Sequence, residues 1–191
     1  MKKISIILLT LVMGFSVAVN AQAPYKHSVG GTIGTLEAFS YKTFFTDHLT
    51  LDLNAGYKIT VGPAAYHING ITGSYNSTIF PRTIEVNPNL EYESTTGKSG
   101  LLWFIGGGLS LGYCPNVAIV DKSLNRGWGF AQTNWGKFGV NAIGGIEYKF
   151  NFPMTLQVDF RPGYGLLFDG SKETISYFDW ALCVGVRYCL H

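Results

Sequence analysis

The chain has 191 residues, with 14 Lys and Arg against 12 Asp and Glu, 24 Gly, 15% aromatic residues and only 14% charged residues; an ordinary soluble domain carries about a quarter charged residues. The near-balance of charge gives no electrostatic basis for binding nucleic acid or acidic lipid. Beyond the first twenty or so residues, no stretch reaches the roughly 18 consecutive apolar residues of a membrane helix, so a membrane-spanning form has to be a closed barrel.

In chain order, Lys2 and Lys3 precede an apolar run from Ile4 to Val19, and Val19-Asn20-Ala21 places small residues where a signal peptidase reads. This pattern predicts a secretory signal peptide over 1–21 and a single domain over 22–191. The competing reading, an uncleaved anchor, is opposed by the shortness of the run and by Thr10 and Ser16 within it. Without residues 1–21 the chain keeps 170 residues and 12 basic against 12 acidic groups, a formal charge of zero.

Eight strands are expected, over 27–34, 37–45, 49–60, 84–93, 100–113, 136–150, 154–168 and 177–190, an even number as bacterial barrels have. The third sets Leu49, Leu51, Leu53, Ala55, Tyr57 and Ile59 against Asp52, Asn54 and Lys58. Asn87-Pro88-Asn89 interrupts the fourth, where Pro cannot donate to a ladder. The fifth alternates Trp103, Ile105, Leu109, Leu111 and Tyr113 with Gly106, Gly108, Ser110 and Gly112. In the last three, bulky apolar residues oppose Asn141, Glu147 and Lys149, then Gln157, Asp159 and Arg161, then Asp179 and Arg187. The short connections 46–48, 94–99 and 151–153 fall on one side and the long segments 61–83, 114–135 and 169–176 on the other, the phase expected of periplasmic turns and external loops.

Such alternation does not by itself tell inside from outside. Apolar residues turned to lipid make a membrane barrel; the inverse makes a soluble periplasmic lipocalin-like carrier of an apolar ligand. Aromatic residues near strand ends, Tyr57 and Tyr113 at one side and Tyr148 and Tyr188 at the other, favour two lipid interfaces. The expected fold is therefore all-β, an eight-stranded antiparallel up-and-down transmembrane β-barrel whose interior is about wide enough for side chains to fill. Its inward charges, Asp52, Lys58, Glu147, Lys149, Asp159, Arg161 and Arg187, are expected to form a paired network, since unpaired ions in a narrow lumen are costly.

Tyr41-Lys42 with Phe44-Phe45, Gly145-Ile146-Glu147-Tyr148-Lys149-Phe150, Asp159-Phe160-Arg161-Pro162 and Gly185-Val186-Arg187-Tyr188 resemble the small outer-membrane β-barrel domain family of Gram-negative bacteria. The resemblance implies an outer-membrane location among its lipids, and insertion by the barrel assembly machinery through the C-terminal strand, here Val186, Tyr188 and Leu190. The chain departs from the pattern by ending in Leu190-His191.

Motifs for chemistry are sparse. Gly97-Lys98-Ser99 lacks the first glycine of a phosphate loop, where Tyr92 stands. The four histidines show no metal-ligand spacing with Cys114, Cys183 and Cys189, and neither a cofactor nor a disulfide framework is expected. His67 with Ser74 and Ser77 is the one grouping that an outer-membrane lipid hydrolase could use. The leading expectation is a non-enzymatic structural or surface-interaction role, with Tyr66, Tyr75, Trp128 and Phe130 as contacts on external loops. Phe80 and Trp135, nearer the strand ends, are read equally as members of an interfacial girdle.

Overall fold

The computed structural model describes residues 23–68, 71–96, 100–121, 126–131, 134–169 and 173–190, so the signal peptide expected over 1–21 lies outside the described residues. Ten strands appear: β1 (His27–Gly34), β2 (Leu36–Phe44), β3 (Leu49–Ile59), β4 (Gly62–Ile68), β5 (Ile71–Thr95), β6 (Leu101–Asp121), β7 (Arg126–Ala131), β8 (Trp135–Lys149), β9 (Met154–Phe168) and β10 (Thr174–Leu190). Eight of them close an antiparallel ring, β1-β2-β3-β5-β6-β8-β9-β10, sealed where β1 pairs β10 from His27↔Leu190 to Gly34↔Cys183. Closure leaves no edge in the wall, which is what hydrocarbon demands of a β structure.

The wall is apolar outside and polar inside. Ile105, Leu109, Leu111, Val140, Ile146, Phe160, Leu182 and Val186 are exposed on the exterior, whereas Lys42, Asp52, Glu91, Glu147, Gln157 and Arg187 are 1% exposed or less within. A lipocalin-like carrier needs the reverse arrangement, so the carrier reading does not hold. Exposed Trp103, Tyr148, Phe152 and Tyr188 ring the periplasmic end, and Tyr113, Phe168 and Phe178 the external end, as interfacial belts do.

The barrel tapers. Gly34, at φ 138°, turns the chain after only eight residues of β1, and Thr35 ties the turn to its neighbours through its N–H to Leu182 O (3.1 Å) and its carbonyl to Ile59 N–H (3.0 Å). Above that turn the chain leaving β3 arches across to β10, where Trp180 Nε1 donates to Val61 O at 2.9 Å and β4 pairs β10 from His67↔Thr174 to Ala64↔Tyr177. The external end is thus a six-stranded ring, β4-β5-β6-β8-β9-β10. Its interior is filled by Ala64, Tyr66, Ile79, Cys114, Val117, Ile119, Trp135, Leu167, Ile175 and Tyr177, at least one from each of those strands.

Two expectations are thereby corrected. The segments 61–83 and 114–135 are mainly strand rather than loop, because β5 runs 25 residues and β6 runs 21. Pro88 does not end β5: it pairs with Leu53 of β3, while the ladder to β6 passes over Asn87 and Pro88. Within β6 a register shift opposite Arg82 and Ile84 changes the face presented inward, from Cys114 to Val117 and Ile119, a re-aiming typical of a bulge.

Gly145 illustrates how tightly the lumen is filled. A Cβ there would lie 2.6 Å from Phe104 Cζ, and the Phe104 ring underlies the Lys42 ammonium at 4.6 Å. Gly145→Ala is expected to lower unfolding free energy in urea by about 1–3 kcal/mol through overpacking. Gly144→Ala, whose Cβ would meet only Phe104 O at 3.7 Å, is expected to stay within about 0.5 kcal/mol of the parent.

Candidate functional site

Inward positions on β2, β3, β5, β8, β9 and β10 bring twelve ionisable side chains into the lumen as two clusters. In the periplasmic half, Lys42 Nζ meets Glu91 Oε2 at 3.1 Å, Glu147 Oε2 at 3.3 Å and, more closely, Glu93. Arg187 reaches Asp52 Oδ1 at 3.1 Å and Glu147 Oε2 at 3.3 Å, and donates to Ser40 Oγ at 2.8 Å and to Gln157. Arg161 pairs with Asp159 Oδ1 at 2.5 Å and Asp52 Oδ2 at 3.4 Å. Neutral donors complete the carboxylate shells: Ser40 and Asn54 to Asp52, Thr50 to Glu93, and Gln157 to Asp159.

In the external half, Lys58 meets Asp179 Oδ1 at 2.7 Å and Glu85 Oε1 at 3.8 Å, and Lys137 bridges the same two carboxylates, to Asp179 Oδ2 at 2.8 Å. Thr60, Thr83 and Asn87 donate to this quartet. Ser110 on Asn87 (2.6 Å) and Asn141 on Asn89 (2.8 Å) fill the level between the clusters. Low polarity around the clusters strengthens each pair and makes each unpaired charge more costly.

Of the charges expected here, Asp52, Lys58, Glu147, Asp159, Arg161 and Arg187 lie in these clusters. Lys149 does not: its ammonium donates to Phe150 O at 2.7 Å and Phe152 O at 3.1 Å on the periplasmic turn. It sits at the last position of β8, where the wall ends and backbone carbonyls are within reach. Lys42, Glu85, Glu91, Glu93, Lys137 and Asp179 join the clusters from outside the expected network. Glu85, Asn87, Asn89, Glu91 and Glu93 alternate with Ile84, Val86, Pro88, Leu90 and Tyr92, a period-2 signal that Pro88 obscures.

Tyr66 is not an external contact, since it is buried in the apolar filling of the taper, and fully buried Trp135 belongs there rather than to a girdle. Tyr75 lies on β5, and Trp128 and Phe130 on β7, with side chains outside the described residues, as is Gly97-Lys98-Ser99. The hydrolase grouping is not assembled: His67 Nδ1 bonds Thr72 Oγ1 at 3.0 Å, while Ser77 is buried opposite Ala64, three residues along β4 from His67. Ser74 has its side chain outside the described residues. Among the described residues, no group of three or more His, Cys, Asp or Glu is arranged to hold a metal ion, and the three cysteines are buried and not joined in disulfides.

A closed antiparallel wall with a lipid-facing exterior, aromatic belts and an ionic interior is a transmembrane β-barrel of the outer-membrane type; the chain is an outer-membrane barrel protein. Its fold is similar to that of Neisserial surface protein A (14% identity, 86% of this chain and 93% of that one, TM-score 0.43). It is likewise similar to the N-terminal β-barrel domain of Pseudomonas aeruginosa OprF (16%, 90% and 100%, 0.41) and to a major outer membrane protein from Thermus thermophilus (11%, 86% and 98%, 0.44). No family model and no curated protein matches the chain.

Arg187→Leu leaves Asp52 and Glu147 short of a partner and is expected to cost about 3–5 kcal/mol. Lys149→Ala, on a solvated turn, is expected to cost less than about 1 kcal/mol. Urea unfolding of the two variants in the same micelles, followed by tryptophan fluorescence, makes the comparison.

Proposed function

We propose that this chain is a non-enzymatic, non-conducting outer-membrane barrel that makes contacts outside the cell through its β-structured external end. The observation that carries the reading is the filled interior: an ionic network across the membrane level and an apolar filling at the external taper. Such a lumen favours a scaffold over a pore, and it directs attention to what the scaffold holds up. The polarity of the wall inverts at the taper, with Arg82, His67 and Thr72 exposed outward while Ile79, Val117 and Ile175 point in. That is the arrangement of a β structure in water, so the upper strands serve as a stiff platform above the lipid. Beside them, β7 pairs with β6 between Val117↔Ala131 and Asp121↔Arg126, outside the six-stranded ring. Trp128 and Phe130 on β7, and Tyr75 on the outer part of β5, are the aromatic anchors this reading assigns to the surface.

The reading also assigns the last strand to the barrel assembly machinery. Val186, Tyr188 and Leu190 alternate outward there, 44%, 52% and 40% exposed.

Two measurements test the reading. Purified barrel in planar bilayers is expected to give no steady ionic conductance; reproducible pore-like steps would defeat the scaffold reading. Replacing residues 122–133 by a short turn is expected to preserve the heat-dependent gel shift of the folded barrel. The same variant is expected to lower attachment of expressing cells to epithelial layers or to immobilised polysaccharide several-fold. Undiminished attachment to both would exclude β7 as the contact element.

A further inference from the structure

The two ends of the lumen are closed by different means. The external end is filled by ten side chains from six strands. The periplasmic end is closed by a strap, residues 23–26, that precedes β1 and belongs to no strand. Tyr25 in this strap is only 4% exposed. Its ring stands edge-on to Phe44 with centroids 5.1 Å apart, packs with Cys189, and its hydroxyl donates to Glu147 Oε1 at 2.6 Å. A recess of about 460 Å³, lined by Ala23–Lys26 and Phe44–Asp47, lies between the strap and the first periplasmic turn.

The polar groups beneath this ring are incompletely matched. Three cations, Lys42, Arg161 and Arg187, face five carboxylates, Asp52, Glu91, Glu93, Glu147 and Asp159. Oε1 of Glu91, Oε2 of Glu93, and the hydroxyls of Ser28 and Thr155 are buried without a hydrogen-bond partner among the described residues. In the external quartet two lysines meet two carboxylates, and each carboxylate accepts a further hydrogen bond. Buried groups left without hydrogen bonds favour any conformation that lets water reach them. Ser77 Oγ and Tyr177 Oη in the external filling and Asn141 Oδ1 between the clusters are also of this kind, but the unpartnered carboxylate oxygens of the two clusters, on Glu91 and Glu93, lie at the end that the Tyr25 ring closes.

We propose that the 23–26 strap is a gate on the periplasmic mouth of the lumen, with Tyr25 as its latch, and that lifting it admits water to the Lys42–Glu91–Glu93–Glu147 cluster. Closing buries the ring and forms one hydrogen bond to a carboxylate; opening hydrates the surplus carboxylates. The recess gives the strap room to move, and no strand pairing has to break above His27. The external filling stays in place, so the open lumen is a blind chamber facing the periplasm.

Cys189 is a built-in reporter, because it is 1% exposed behind Tyr25 and Phe44, while Cys183 lies deeper in the wall against Leu36 and Ala181. The full barrel in lipid vesicles, treated with a small cationic methanethiosulfonate and digested for mass spectrometry, gives labelling rates for each thiol. Tyr25→Phe keeps the ring and removes the hydroxyl, so Cys189 is expected to label about tenfold or more faster than in the parent, the scale for losing a hydrogen bond to a charged group. Tyr25→Ala is expected to label faster still, with Cys183 and Cys114 protected in all three proteins. Equal Cys189 rates in parent and Tyr25→Phe would overturn the gate. Labelling of Cys183 alongside Cys189 would overturn it as well, since that pattern means the wall has opened. Should Tyr25→Ala fail to fold, Tyr25→Phe against the parent decides the matter alone.

Discussion

The constraint on which this structure depends is the closure of the wall in a medium that cannot satisfy a backbone. Hydrocarbon offers no hydrogen bonds, so each strand needs two neighbours, and the only arrangement that supplies them is a ring. Once the ring closes, the pleat sends alternate side chains to lipid and to a lumen about as wide as they are long. A charge turned away from lipid therefore meets another charge, not bulk water. Arg187, on the strand that closes the seam, shows the result: it bonds residues from β2, β3, β8 and β9 at once. Replacing such a buried network with apolar side chains is often neutral or stabilising, whereas deleting one member is not. The network is thus better seen as a register key between strands than as a store of stability. A one-residue slip of any strand would turn its charges to lipid.

The taper follows from the same closure. The β1–β2 hairpin ends too low to continue the wall upward, and β10 would be left with an unpaired edge from Thr174 to Ala181. The arch from β3 into β4 covers much of that edge, and the ring contracts from eight strands to six. A six-stranded ring standing above the lipid has no use for interior ions, since water already surrounds its outer face, and so its interior fills with Tyr66, Trp135, Tyr177 and their neighbours. The bulge in β6 performs the exchange locally, since without the shift near Cys114 and Pro115, Val117 and Ile119 would face outward.

Much of this was legible in the chain. The outward sets of β3, β6, β9 and β10, and the strand limits of 27–34 and 154–168, follow from period-2 alternation alone, because lipid on one face and a polar lumen on the other leave few exceptions. Alternation in β5 was equally present but was broken to the eye by Pro88, whose tolerated place depends on a ladder that skips it, a fact of register and not of composition. The upper hairpins resemble loops in the sequence for a different reason. There the outer face is polar and the inner apolar, so residues such as Thr78, Ile79 and Arg82 contradict the pattern set below them, and only the membrane boundary explains the inversion. Tyr66 and Trp135 illustrate the cost: aromatic residues in a polar-looking segment read as exposed anchors when they are core. Lys149 shows the converse, an inward parity at the very end of a strand, where geometry releases the side chain to the turn.

The two closures of the lumen also divide what the barrel can do. An apolar filling drawn from six strands opens only if the upper ring itself comes apart, which couples it to global unfolding. A four-residue strap held by one ring, one hydroxyl and a backbone hydrogen bond from Phe44 N–H to Lys26 O (3.0 Å) is bound by a local equilibrium. Any exchange between lumen and solvent in the folded barrel is therefore confined to the periplasmic side. There the carboxylates outnumber the cations, so the half of the network least satisfied internally lies behind the closure that is easiest to undo.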